Sequence, residues 1–90
     1  MNIQFTPNAW EEFNYWQDTD TDIVDKIRTL IKDIQRSPFK GLGKPEPLKG
    51  ELNGFWSRRI TQEHRLVYRI ADKGTSQVCQ IIQCKFHYDD

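Results

Sequence analysis

Between Gly54 and Ile70 the chain reads GFWSRRITQEHRLVYRI, and this stretch restricts the available folds more than any other. Asn53-Gly54 at its start is a turn dipeptide. Phe55 to Thr61 and Arg65 to Ile70 are rich in aromatic and β-branched residues, and the polar Gln62-Glu63-His64 between them predicts a three-residue reversal. With that loop, antiparallel pairing sets position 59 opposite 67 and 57 opposite 69, so odd positions of both strands share one face. That face carries Ser57, Arg59, Arg65 and Arg69. The even face carries Trp56, Leu66, Tyr68 and Ile70, with Arg58 as its exception. A hairpin of this kind needs an apolar cover on one side, while its arginine side suits an anion, phosphate above all.

The cover lies upstream. Ile23, Val24, Ile27, Leu30, Ile31 and Ile34 form an amphipathic stripe that starts from a cap at Asp20 or Thr21 and stops at Ser37-Pro38. An earlier helix is announced by Thr6-Pro7, a cap followed by proline at the first helical position. Trp10, Phe13 and Trp16 recur along it near helical spacing, Glu11 and Glu12 favour its positive end, and Asp18-Thr19-Asp20 closes it. Trp10, Trp16 and Trp56 are expected in the core.

The remaining elements are short. Asn2 to Thr6 alternates as a strand, and FKGLGKPEPLKG, from Phe39 to Gly50, reads as an ordered loop with a brief edge strand around Glu46 to Lys49. Asp72-Lys73-Gly74 is a turn. Gln77 to Tyr88 reads as the last strand, with Val78, Ile82, Cys84, Phe86 and Tyr88 on one face and Cys79, Ile81, Gln83, Lys85 and His87 on the other. The expected fold is α+β, of β-α-α-β-β-β order, with both helices on one face of an antiparallel sheet in a single domain over residues 1–90.

Thirteen basic and thirteen acidic residues cancel, so an anion-binding surface has to be local. The distribution allows one. Glu11, Glu12, Asp18, Asp20, Asp22 and Asp25 precede the first basic residue, whereas Lys40, Lys44, Lys49, Arg58, Arg59, Arg65 and Arg69 face only Glu46, Glu51 and Glu63 in the middle of the chain. Neither a leader peptide nor a membrane span is expected, which suggests a cytoplasmic protein. Cys79 and Cys84 stand five residues apart in the expected last strand, pointing to opposite faces, and read as free thiols. Together with His64 and His87 they are too few for a zinc site.

Ribonucleic acid can be cut by its own 2′-hydroxyl when a base removes that proton, an acid protonates the leaving 5′-oxygen, and cations steady the phosphorane. Glu46, held between Pro45 and Pro47, His87 near the chain end, and Arg59 with Arg65 on one face supply each type. Plainer readings stand beside them: a solvated loop glutamate, an idle surface histidine, arginines that pair with carboxylates. His64, in the reversal, is expected as a turn residue or a hydrogen-bond partner for backbone rather than a catalyst.

A longer set of residues carries a family resemblance. Trp10 with Tyr15-Trp16-Gln17, Thr19-Asp20, Ile31-Lys32-Asp33, Pro38-Phe39, the run GKPEPLK from Gly43, GFWSRRI from Gly54, EHRLVY from Glu63 and the closing His87-Tyr88 resemble the YoeB family of toxins in the RelE superfamily. The resemblance implies a toxin that cuts messenger RNA in the A site of the 70S ribosome, on a fold similar to small microbial ribonucleases, without a cofactor. It also implies control by a YefM-type antitoxin, and it leaves pairing with a second copy as a homodimer open. By motif, Glu46 would be the general base, His87 the general acid, Arg65 the transition-state stabiliser and Tyr88 the residue that orients the phosphate. Lys49, Arg59 and Lys44 would hold the RNA backbone. Asp89-Asp90 after the His-Tyr pair, the neutral overall charge and a longer segment from Asp72 to Gln77 depart from the family pattern. The rival readings are a catalytically inactive module that binds RNA or the ribosome, and a corepressor that only pairs with an antitoxin.

Overall fold

The structure, a computed structural model, describes residues 1–74 and 76–86. Strand β1 (Asn2–Phe5) leads into α1 (Pro7–Thr19) and α2 (Thr21–Arg36). Then follow β2 (Glu46–Pro47), a 3-10 turn at Gly50–Leu52, β3 (Trp56–Arg59), β4 (Arg65–Lys73) and β5 (Ser76–Gln83).

The helices begin where their caps dictate. Thr6 accepts a hydrogen bond from Ala9 N at 3.2 Å with Pro7 at the first position, and Asp20 accepts from Asp22 N and Ile23 N to open α2. Ser37 closes α2, as its partnership with Pro38 requires. Ile27, Leu30 and Ile34 are completely buried, each worth about 1.5–3 kcal/mol against exposure. With Phe13 and Trp16 of α1 they pack on Leu66, Tyr68, Cys79 and Ile81 of the sheet, so the even face of the hairpin is the covered face. Trp10 departs from expectation. It is 49% exposed at the rim, edge-on to Phe5 at 5.6 Å, because α1 turns its Ala9-Phe13-Trp16 side to the core.

The five strands are ordered β1-β5-β4-β3-β2. Four are antiparallel to their neighbours, but β1 runs parallel to β5, which makes the sheet mixed. The two helices lead from β1 to β2 at the far edge, and the antiparallel run β2-β3-β4-β5 returns across the sheet until its last strand lies beside β1 in the same direction.

Three local expectations change. The hairpin register places Arg59 opposite Arg65 and Ser57 opposite Val67, each partner two residues earlier on β4 than a three-residue loop would give. The reversal is longer because Ile60 is buried, Ile60 N and Thr61 N both donate to His64 O, and the Thr61 hydroxyl accepts from Glu63 N and His64 N. A shift of two keeps parity, so the faces survive. The β4–β5 strands pair as far as Lys73 with Ser76, so the longer segment noted above is extra strand length rather than a stretched loop, and Asp72-Lys73 belong to β4. Finally, β5 ends at Gln83. Its bulge opposite Val67/Tyr68 and the bend that follows bring Cys84 into the same core cluster as Cys79, so the two buried thiols do not lie on opposite faces of one strand.

Candidate active site

The strand register builds a row across the sheet: Glu46 on β2 faces Ser57 on β3, which faces Val67 on β4, which faces Gln83 on β5. These side chains point away from the helices. Ser57 and Val67 are buried, 2% and 0% exposed, and form a floor, while Glu46 stands exposed at the edge about 10 Å from Val67 at two strand spacings. Two residues further along the same face, Arg59 and Arg65 form the next cross-strand pair. Two arginines directly opposite each other repel unless an anion lies between them or each is engaged elsewhere.

Arg65 is partly engaged. Its Nη1 donates to the carbonyls of Thr61, Gln62 and His64 at 3.0, 3.1 and 3.3 Å, tying the guanidinium to the reversal. Since a guanidinium carries five N–H donors, this one nitrogen fixes the group's position without exhausting it. Arg59 is exposed, and its backbone N donates to Gly43 O at 2.7 Å, which brings the loop bearing Lys44 against the end of β3. Lys44 is exposed and adopts a left-handed φ of 52° between Gly43 and Pro45. Lys49 is exposed just ahead of the 3-10 turn. Arg69, the fourth residue of the arginine face, is not directed at an anion: its Nε donates to Gln80 Oε1 at 2.9 Å and its guanidinium lies 5.5 Å from the Phe55 ring centre.

Arg58, the exception on the even face, is completely buried. Its guanidinium pairs with Asp33 at 2.5 Å, donates to the carbonyls of Ser37, Lys40 and Leu42, and donates through Nε to the Tyr68 hydroxyl at 3.1 Å. The loop from residue 37 to 43 is thereby wrapped around one cation, and a Cβ at Gly41, whose φ is +120°, would collide with the Asp33 carboxylate. The Leu42 N–H, followed by the bond from Arg58, holds the Asp33 carboxyl below the ordinary carboxylate range. This hub sets the path of the chain into Gly43, Lys44 and Glu46.

On the opposite side of the floor, the chain leaves β5 and is held by side chains from α1 and the reversal. Glu12 Oε1 accepts from Cys84 N at 2.8 Å, Trp16 Nε1 donates to Cys84 O at 2.9 Å, and Gln83 Nε2 reaches the carbonyls of Lys85 and Phe86. Phe86 N donates to His64 Nδ1 at 2.7 Å, and Phe86 O accepts from Arg65 N at 3.1 Å. His64 therefore bonds backbone, as its place in the sequence suggested. His87 and Tyr88, with Asp89 and Asp90, lie outside the described residues, so among the candidate residues the structure brings together Glu46, Arg59 and Arg65 on one face with Lys44 and Lys49 on the flanking loop. Sequence reasoning missed the Ser57-Val67 floor and the Gln83 clamp, whose only signal was their odd parity. Among the described residues no three His, Cys, Asp or Glu side chains are grouped to hold a metal ion, and no helix is long and apolar enough to cross a membrane.

A sequence profile described as YoeB-like toxin of bacterial type II toxin-antitoxin system matches residues 5–88. Toxin YoeB of Escherichia coli K12 is 52% identical over 88 residues, covering 98% of this chain and 100% of that one. Among solved structures, the YoeB/ParE toxin from Agrobacterium tumefaciens superposes with a TM-score of 0.94 at 52% identity, covering 98% of this chain and 100% of the other. Staphylococcus aureus YoeB, solved as a dimer and in a YoeB-YefM complex, gives TM-scores of 0.88 and 0.87 at 46% and 45% identity, with 98% of each chain covered in both.

Proposed function

Because the chain belongs to the YoeB-like toxins of bacterial type II toxin-antitoxin systems, we propose that it is a ribosome-dependent endoribonuclease that cuts messenger RNA in the A site without a metal ion. The observation that carries this reading is the sheet face on which Glu46 and the Arg59-Arg65 pair flank a buried Ser57-Val67 floor. Glu46 takes the proton of the 2′-hydroxyl, whose oxygen attacks the adjacent phosphorus. As the P–O5′ bond breaks, His87 gives its proton to the leaving oxygen, which yields a 2′,3′-cyclic phosphate and a 5′-hydroxyl. Arg65 offsets the charge that builds on the non-bridging oxygens, and Tyr88 orients the phosphate. Arg59, Lys44 and Lys49 grip the RNA backbone on either side.

So few cations on one small face bind free RNA weakly, and orientation on the ribosome supplies what they lack. The S. aureus complex with YefM and the S. aureus dimer support an antitoxin of that type as the partner of this chain, and pairing with a second copy, in the bacterial cytoplasm. The test is single-turnover cleavage of ribosome-bound message by purified protein. Glu46→Gln and His87→Gln should each lose about 10²–10⁴ in rate, and Arg65→Ala at least about 10², with unchanged melting temperature. Near-wild-type cleavage by both carboxamide variants would refute the assignment, and wild-type protein that binds ribosomes without cutting would favour the inactive binding module.

A further inference from the structure

We propose that His64 is a positioning residue for this site: its Nδ1 fixes the Phe86 peptide, and with it the backbone from which His87 and Tyr88 extend. The inference rests on the proposed roles of those two residues. His64 is buried, with its ring edge-on to Trp16 at 4.7 Å and tilted against Phe86 at 5.6 Å. An amide N–H can only donate, so the nitrogen that faces Phe86 N at 2.7 Å is the unprotonated one. The other nitrogen, Nε2, lies 3.3 Å from Glu63 Oε1 and carries the ring hydrogen. The ring is thereby held in one orientation and one tautomer.

The Phe86 peptide needs such a hold. Regular pairing ends at Gln83, and Phe86 itself takes a left-handed φ of 65°, a conformation that a bulky residue keeps only where its surroundings impose it. Its carbonyl is gripped by Arg65 N and Gln83 Nε2 at 3.1 and 3.2 Å, and its N–H, among the described residues, by His64 alone. His64 and Arg65 are consecutive. The same two residues that close the reversal therefore set the distance between the Arg65 guanidinium and the chain entering His87. Glu12 and Trp16 secure Cys84, two residues earlier, but a peptide held there can still rotate about the bonds of Lys85 and Phe86.

The experiment compares His64→Asn, His64→Gln and His64→Phe. In asparagine the amide oxygen stands two bonds from Cβ, as Nδ1 does, so Asn keeps the acceptor. Gln moves it outward and Phe removes it. Expected are a fall in kcat of about 10- to 100-fold for Gln and Phe with KM for the programmed ribosome within twofold, and substantial recovery in Asn. Exchange of the Phe86 amide hydrogen, followed by NMR on the same proteins, should be slow in wild type and Asn and fast in Gln and Phe. Equal kcat in Asn and Gln at matched melting temperature, or a Phe86 amide equally protected in all variants, would overturn the proposal. If His64→Phe does not fold, the Asn and Gln pair decides alone. Should wild type fail to cut ribosome-bound message at all, the functional reading fails, and the amide exchange still tells whether His64 holds Phe86.

Discussion

Two segments of this protein leave regular structure and are held by side chains from distant parts of the chain, yet they are held in opposite ways. The loop after α2 is gathered mainly by one cation, since Arg58 reaches Asp33 and the carbonyls of Ser37, Lys40 and Leu42, with only the Leu42 N–H on Asp33 and the Tyr68 hydroxyl on Pro38 O beside it among the described residues. The segment after β5 is held by Glu12, Trp16, His64, Gln83 and the backbone of Arg65, one or two bonds each. A hub concentrates its contribution, so breaking it unfolds the region. A distributed clamp spreads the contribution, so each loss loosens the segment while the core stays folded. The difference suits their tasks, because the first segment carries edge residues into a fixed frame and the second delivers the chain to the residues proposed to move a proton.

The comparison is broken most severely by Arg58→Ala. Three part-buried carbonyls would each lose a charged donor, worth about 1–3 kcal/mol apiece, so a loss of at least about 3 kcal/mol is expected, or more than about 12 °C in melting temperature for a chain of this size. A variant that melts within a few degrees of wild type would show that the loop does not depend on its hub.

Acid should strain the same hub from its other end, with a smaller effect because the carbonyl bonds persist. Asp33 has a folded pKa below its unfolded value near 3.8, so the unfolded state takes up the proton first. The stability it contributes is complete above that unfolded value and disappears as pH falls through the lower folded one. Thermal melts of wild type should therefore drop more steeply than those of Asp33→Asn over that acidic window. Parallel curves would mean that the carboxylate contributes nothing beyond its shape.

On the distributed side, Trp16→Phe removes the donor to Cys84 O together with part of the buried indole, and an expected loss of about 1–2 kcal/mol in denaturant melts would match one bond among several plus the lost packing. A loss as large as that of Arg58→Ala would erase the contrast. The smallest effect concerns Cys79 and Cys84. Burial pushes both thiols up to about 12, with Glu12 adding to it at Cys84, so a thiol reagent at pH 8 should label neither in the native state and both after unfolding. Rapid native labelling of Cys84 alone would show that the clamp opens while the core remains closed.

Features whose cause lies within a few residues were legible without the structure. The Asp20 cap, the Ile23 to Ile34 stripe, the Thr6-Pro7 start, the Asn53-Gly54 turn and the edge strand at Glu46 all follow from neighbours acting on neighbours. Parity on β3 and β4 was legible too, because a register error of two residues leaves every side chain on its face. Parity failed on β5, where a bulge and an early end turned Cys84 inward, and Trp10 proved a rim residue although its spacing suited the core.

What the sequence determined by itself was thus most of the elements, the faces of the hairpin and the placing of Arg59 and Arg65 together on one of them, since periodicity, caps and turns act locally, whereas the pairing of β2 with β3 brought Glu46 to that face. Tertiary structure alone decided that Arg58 is a buried hub rather than a fourth anion-binding arginine, that β1 joins the sheet in parallel, and that His64 holds Phe86. Those outcomes depend on pairs such as Asp33 with Arg58, Trp16 with Cys84 and His64 with Phe86, 25, 68 and 22 residues apart. Contacts at such separations exist only after the chain has closed, and no local pattern encodes which partner a buried polar group will meet.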